Sequence, residues 1–170
     1  MPSTAMRFFP LLLLLAAFSA CVNPPEFPDE PVITYVGLSK NQIYQNTNGP
    51  RDSIIIHFTF TDGDGDLSKI GADTLSDLFI QDSRLAGLTT PFTLPVFDNE
   101  GTGNGISGDI FLTIDNQAQA VCCIANNRFC AENPAVPVDT FSYSIQIADR
   151  AGNLSNVIRT EPISILCLGQ

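Results

Sequence analysis

The residues best equipped for chemistry sit in one short run, Thr61-Asp62-Gly63-Asp64-Gly65-Asp66-Leu67-Ser68, where three carboxylates fall at alternate positions with glycine between them. Hard cations such as Ca²⁺ take six to eight oxygen ligands at about 2.3–2.6 Å, and glycine lets a backbone curl until alternate side chains converge. Three neighbouring carboxylates also repel one another unless a cation neutralises them. The run is not an EF-hand. Such a loop needs Gly at its sixth position and Glu at its twelfth, and counting from Asp62 these are Leu67 and Asp73. A second oxygen-rich run, Asp149-Arg150-Ala151-Gly152-Asn153, offers Asp149 and Asn153 as further donors. Two readings stand side by side. In one, Asp62, Asp64, Asp66, Asp149 and Asn153 share a Ca²⁺ ion. In the other, the Asp-Gly repeats make a polar tight turn whose carboxylates are solvated, cap local N–H groups or meet Arg150.

The remaining reactive side chains are few. His57 is the only histidine, so any Ser–His–Asp or Cys–His device has to centre on it, and no nucleophile elbow, HExxH or phosphate-cradling motif accompanies it. The many aspartates could be paired for glycoside hydrolysis, but an exposed Asp-Gly loop offers no apolar pocket to raise one carboxyl pKa. The expectation is a non-enzyme. Apart from Cys21, the cysteines are Cys122, Cys123, Cys130 and Cys167. An even number in an exported domain reads as two disulfides. Adjacent cysteines seldom pair because the peptide between them strains, so one of Cys122 and Cys123 should join Cys130 and the other Cys167. The spacing matches no common zinc pattern.

These residues need elements to position them, and the elements are strands. Ser53–Thr61 alternates strictly, with Ile54, Ile56, Phe58 and Phe60 on one face and His57 among those on the other. Thr140–Asp149 does the same with Phe141, Tyr143, Ile145 and Ile147. Val32–Leu38, Leu78–Gln81, Phe92–Phe97, Gly108–Asp115 and Asn156–Leu166 complete the set, separated by Gly-, Asn-, Asp- and Pro-rich loops. Pro91, Pro95 and Pro162 assign their strands to edges or bulged starts. No stretch repeats at helical spacing beyond a single turn near Asp73–Leu78. The predicted fold is all-β: an Ig-like β-sandwich of about seven antiparallel strands over residues 32–170. If successive strands alternate in direction, the loops carrying Asp62–Asp66 and Asp149–Asn153 share one pole with the start of the first strand. Residues 116–139 and Cys167 then share the other.

The N-terminus gives the destination. Arg7 precedes an apolar run from Phe8 to Ala20 broken only by Pro10 and Ser19. That is too short to span a bilayer, which takes roughly 20 apolar residues, and has the length of a signal peptide, residues 1–20. Residues 21–31 follow as a linker in which Pro24, Pro25, Pro28 and Pro31 enforce an extended spacer. Phe18-Ser19-Ala20-Cys21 resembles the bacterial lipobox, with Phe18 where Leu is usual. The resemblance implies lipidation of Cys21 with three acyl chains, palmitate-type, and hence a membrane anchor. The net charge of −10, one unit more negative without Arg7, repels phosphate backbones and argues against nucleic-acid partners.

Together the lipobox, the proline-rich spacer, the strand ending Phe-Thr-Asp-Gly-Asp-Gly-Asp-Leu and the late Ala-Asp-Arg-Ala-Gly-Asn-Leu-Ser-Asn resemble small lipoproteins of the Bacteroidota with an Ig-like or cadherin-like domain. The resemblance implies an outer-membrane, lipid-anchored protein facing the periplasm or the cell surface. The expected role is a binding or interaction module for an envelope protein or glycan, stabilised by Ca²⁺. The alternatives are a structural accessory subunit of an outer-membrane assembly and a hydrolase using the acidic loops.

Overall fold

The computed structural model describes residues 26–45, 50–67, 76–95, 105–118, 121–125, 128–130 and 137–167. The signal segment, Cys21, Asp73 and Asp98-Asn99-Glu100, a run expected to enlarge the acidic surface, lie outside the described residues. Every regular element described is a strand: β1 Val32–Leu38, β2 Gln42–Tyr44, β3 Ser53–Asp62, β4 Leu78–Asp82, β5 Thr89–Phe92, β6 Ile106–Asp115, β7 Ile124–Ala125, β8 Arg128–Phe129, β9 Val138–Phe141, β10 Tyr143–Ile147, β11 Ile158–Arg159 and β12 Ile163–Leu166. Three sheets run in the orders β1-β3-β6, β11-β10-β4-β5 and β2-β12-β9, with β7 and β8 as a small hairpin. All pairings are antiparallel except β2 with β12.

The alternation of β3 produces the core. Ile54, Ile56, Phe58 and Phe60 are buried, while Ser53 and Ile55 face out. They join one cluster with Ile33 of β1, Ile110 and Ile114 of β6, Ile80 of β4, Ile145 and Ile147 of β10, and Ile163 and Ile165 of β12. One core filled from sheets on both sides is compatible with a β-sandwich.

Among the described residues, twelve strands stand where about seven were expected: two long strands change sheets and so divide, and the short β2, β7 and β8 are additional. The predicted strand Thr140–Asp149 breaks at Ser142, whose N–H is taken by Ser83 Oγ at 3.0 Å instead of a ladder carbonyl. It thereby divides into β9, paired with β12, and β10, paired with β4 and β11. The predicted strand Asn156–Leu166 breaks opposite it, where the Tyr143 N–H donates to Thr160 Oγ1 at 3.0 Å and Pro162 has no donor to give. Of the strand expected at Phe92–Phe97, only Phe92 lies in a strand among the described residues: β5 spans Thr89–Phe92 at the outermost position of its sheet, an edge where Pro91 is tolerated, and residues 96–97 lie outside the described residues. β2 is too short for any alternation to show.

The disulfides are Cys122–Cys130 and Cys123–Cys167, with Cα–Cα separations of 4.6 and 5.6 Å. Arg84 secures the same region. Its guanidinium donates to Asp82, to Asp139 and to the Cys122 carbonyl, and it lies 4.5 Å from the Phe141 ring centroid.

The cross-link between Cys123 and Cys167 spans 44 residues and that between Cys122 and Cys130 only 8. Chain-entropy reasoning assigns them about 4 and about 2.5 kcal/mol. Replacing the first pair by alanine should therefore lower the free energy of unfolding in urea by more than replacing the second.

Candidate metal centre at the acidic pole

Asp62 is the last residue of β3 and continues the parity of Ile54, Ile56, Phe58 and Phe60, so the strand's register turns its carboxylate inward. Its backbone is fixed opposite Ile106 of β6. Asp62 is 0 % exposed, and among the described residues neither carboxylate oxygen has a partner in hydrogen-bonding geometry. The Leu67 amide lies near enough only to favour the anion slightly. Leu67 itself is buried in the core and draws the loop back over the strand end. Gly65 turns this loop with φ of 71°, a left-handed value that glycine adopts without the Cβ penalty most residues meet.

The loop brings one oxygen each of Asp62, Asp64 and Asp66 within 4.8 Å of one another. Asp62 is buried, Asp66 half-buried and Asp64 exposed, so the cluster opens to solvent on one side. A second orphan, Asp66 Oδ1, is likewise buried without a partner. Burial, then the charges of Asp64 and Asp66, push the Asp62 carboxyl up to about 6. Burial and the charges of Asp149 and Asp64 also raise Asp66, against the opposing charge of Arg150. A set of hard anionic oxygens, converging and under-supplied with donors, fits a hard divalent cation.

The second aspartate run comes to the same pole. The Arg150 N–H donates to the Asp66 carbonyl at 3.3 Å, which places the turn after β10 against the loop after β3. Asp149 is buried but has its own partners. Oδ1 accepts the Asn153 N–H at 2.7 Å and Oδ2 accepts the Asn153 side-chain amide at 2.8 Å. Asp149 is not among the carboxylates within 4.8 Å, and Asn153 turns towards Asp149. Asp62, Asp64 and Asp66 therefore form the converging set, and Asp149 contributes negative potential beside it.

Other reactive groups are engaged elsewhere. His57 lies on the outer face of β3, its ring stacked on Phe111 at 4.3 Å and its Nε2 2.6 Å from Asp109 Oδ1. A concavity of about 290 Å³ is lined by Asp82, Arg84, Leu88, Thr90, Phe129 and Tyr143, but its cation is committed to Asp82 and Asp139. The sequence missed the inward aim of Asp62, although its parity with Phe58 and Phe60 carried that signal.

The raised Asp62 carboxyl sets the sign of a pH effect. Its folded form holds a proton that the unfolded chain releases above the ordinary value of 3.8, so folding is favoured at low pH. In chelator, stability should fall as pH rises from about 3.8 to about 6. Asp139 acts outside this window: burial raises its pKa, but the Ile124 amide and Arg84 outweigh that, so its contribution is lost only as pH falls below the ordinary range. Urea midpoints across the window check the slope, and a rising slope in chelator contradicts it. No family model matches the chain, and no curated protein or solved structure matches it either.

Proposed function

We propose that this protein is a lipid-tethered, non-catalytic binding module of the cell envelope whose acidic loop is organised around a calcium ion. The carrying observation is Asp62, a fully buried carboxylate with both oxygens unpartnered and two further carboxylates converging on it. Leaving such a group uncompensated is costly, whereas a cation supplies the missing partner. Asp62, Asp64 and Asp66 would hold the ion, with water and backbone oxygens filling its shell. Bound calcium supplies charge neutralisation and rigidity to the loops of this pole.

The sheet orders support the Ig-like reading. The strands expected at Val32–Leu38, Ser53–Thr61 and Gly108–Asp115 form one sheet as β1-β3-β6, and those expected at Leu78–Gln81, Thr140–Asp149 and Asn156–Leu166 contribute β4, β10 and β11 to the other, β11-β10-β4-β5. β1-β3-β6 and β11-β10-β4 divide as the A-B-E and G-F-C strands of such sandwiches do, whereas β5 pairs with β4 instead of joining the first layer, and β2-β12-β9 form a third sheet. The lipobox and proline-rich linker support anchoring through Cys21 on the outer membrane, facing the periplasm or cell surface. An envelope protein or glycan is the proposed partner. A structural subunit of an outer-membrane assembly is the alternative, and membrane pull-downs separate the two: such a subunit co-purifies stoichiometrically with one complex.

Thermal unfolding tests the metal centre. With free Ca²⁺ at about a hundred times Kd, stabilisation should reach about 2.7 kcal/mol. Asp62→Asn should raise the melting temperature in chelator, by removing a buried charge, and abolish the calcium-induced rise. An unchanged melting temperature of the wild-type chain in millimolar Ca²⁺ overturns the proposal. For the anchor, a radiolabelled fatty acid should be incorporated into the wild-type chain and not into Cys21→Ser.

A further inference from the structure

The chain reaches β1 across the acidic loop itself. The Gly63 N–H, between two of the converging carboxylates, donates to the Pro28 carbonyl at 2.8 Å. The contact is so close that a Cβ on Gly63 would collide with the Phe27 and Pro28 carbonyl oxygens. On the far side, Gly105 lies against the Phe27 ring and the Asp62 carbonyl: a Cβ there would come within 2.9 Å of Phe27 Cδ2 and 2.7 Å of the Asp62 oxygen. Phe27 is half-buried in this seat, and Pro31, just before β1, is buried. The residues that precede the first strand are thus docked onto the loop that carries Asp62, Asp64 and Asp66.

The docked segment is itself acidic, with Glu26, Asp29 and Glu30 around Phe27 and Pro28. Without a cation, like charges act on both sides of the seat. Repulsion among Asp62, Asp64 and Asp66 favours opening of the loop that presents the Gly63 N–H, and their field repels the acidic segment. A divalent cation reverses both effects. It draws the three carboxylates together and so fixes the amide that holds Pro28, and it lowers the negative potential that the segment must approach.

We infer that cation binding at Asp62, Asp64 and Asp66 fastens the Phe27–Pro28 segment to the domain, so that ion occupancy determines whether the domain is held rigidly on the chain leading into it or swings from it. This rests on the cation reading of the acidic loop. The coupling is reciprocal: if the ion strengthens docking, docking strengthens ion binding by the same factor.

The experiment uses the full chain in detergent with Ca²⁺ as the probe. Calorimetry measures calcium affinity for the wild-type chain and for Phe27→Ala, and fluorine NMR follows 4-fluorophenylalanine placed at position 27. The expected result is a narrow, solvent-like fluorine resonance in chelator that shifts and broadens with Ca²⁺, together with about fivefold or greater loss of calcium affinity in Phe27→Ala. Calcium binding of equal strength in both proteins, with a fluorine signal indifferent to the ion, overturns the coupling and leaves the metal centre standing. Absence of calcium binding to the wild-type chain overturns the metal centre and the coupling with it.

Discussion

The register of β3 places Asp62 where its neighbours of the same parity are Ile54, Ile56, Phe58 and Phe60, and a strand of ten residues paired along both edges has no means of turning one side chain out alone. Slipping the strand by one residue would move the whole apolar set to solvent. The carboxylate is therefore carried inside by the hydrophobic free energy of the four residues before it. The loop that follows has to answer for that charge. Gly65 turns it, Leu67 anchors it in the core, and Asp64 and Asp66 come round to the same point.

The two ends of the molecule solve opposite problems. At the acidic end several negative side chains gather around strand termini, where burial and mutual charge raise the Asp62 and Asp66 carboxyls. At the other end the long connection between β6 and β9 is pinned by covalent and ionic means that need no added partner: two disulfides, and Arg84 shared between Asp82, Asp139 and the Cys122 carbonyl. One core lies between them, taking in Leu67 from the acidic loop and Cys123 and Cys167 from the disulfide-bonded end.

Much of this was legible in the residues. The bounds of β1 coincide with the expected Val32–Leu38, and β3 extends the expected strand by one residue, because strict alternation of large apolar side chains leaves little freedom. Alternating strand direction correctly placed Asp62–Asp66 beside Asp149 and brought Cys167 within reach of the cysteine pair. Apolar patterning could not show where Ser142 and Thr160 divert two strands between sheets, since those breaks depend on single side-chain hydrogen bonds to partners distant in sequence. It also could not show that Asn153 would satisfy Asp149, or that Phe27 and Pro28 would lie on Gly63, because both are close approaches without periodicity.

One pairing bears on how the fold is completed. β2, near the start of the domain, has β12 as its ladder partner, and β12 closes only at Leu166. β9 also waits for β12 to complete its ladder. The three-stranded sheet therefore cannot assemble until β12 is available to pair with both β2 and β9. Such long-range closure slows folding and leaves β2 and β9 without their ladder partner until that last strand arrives.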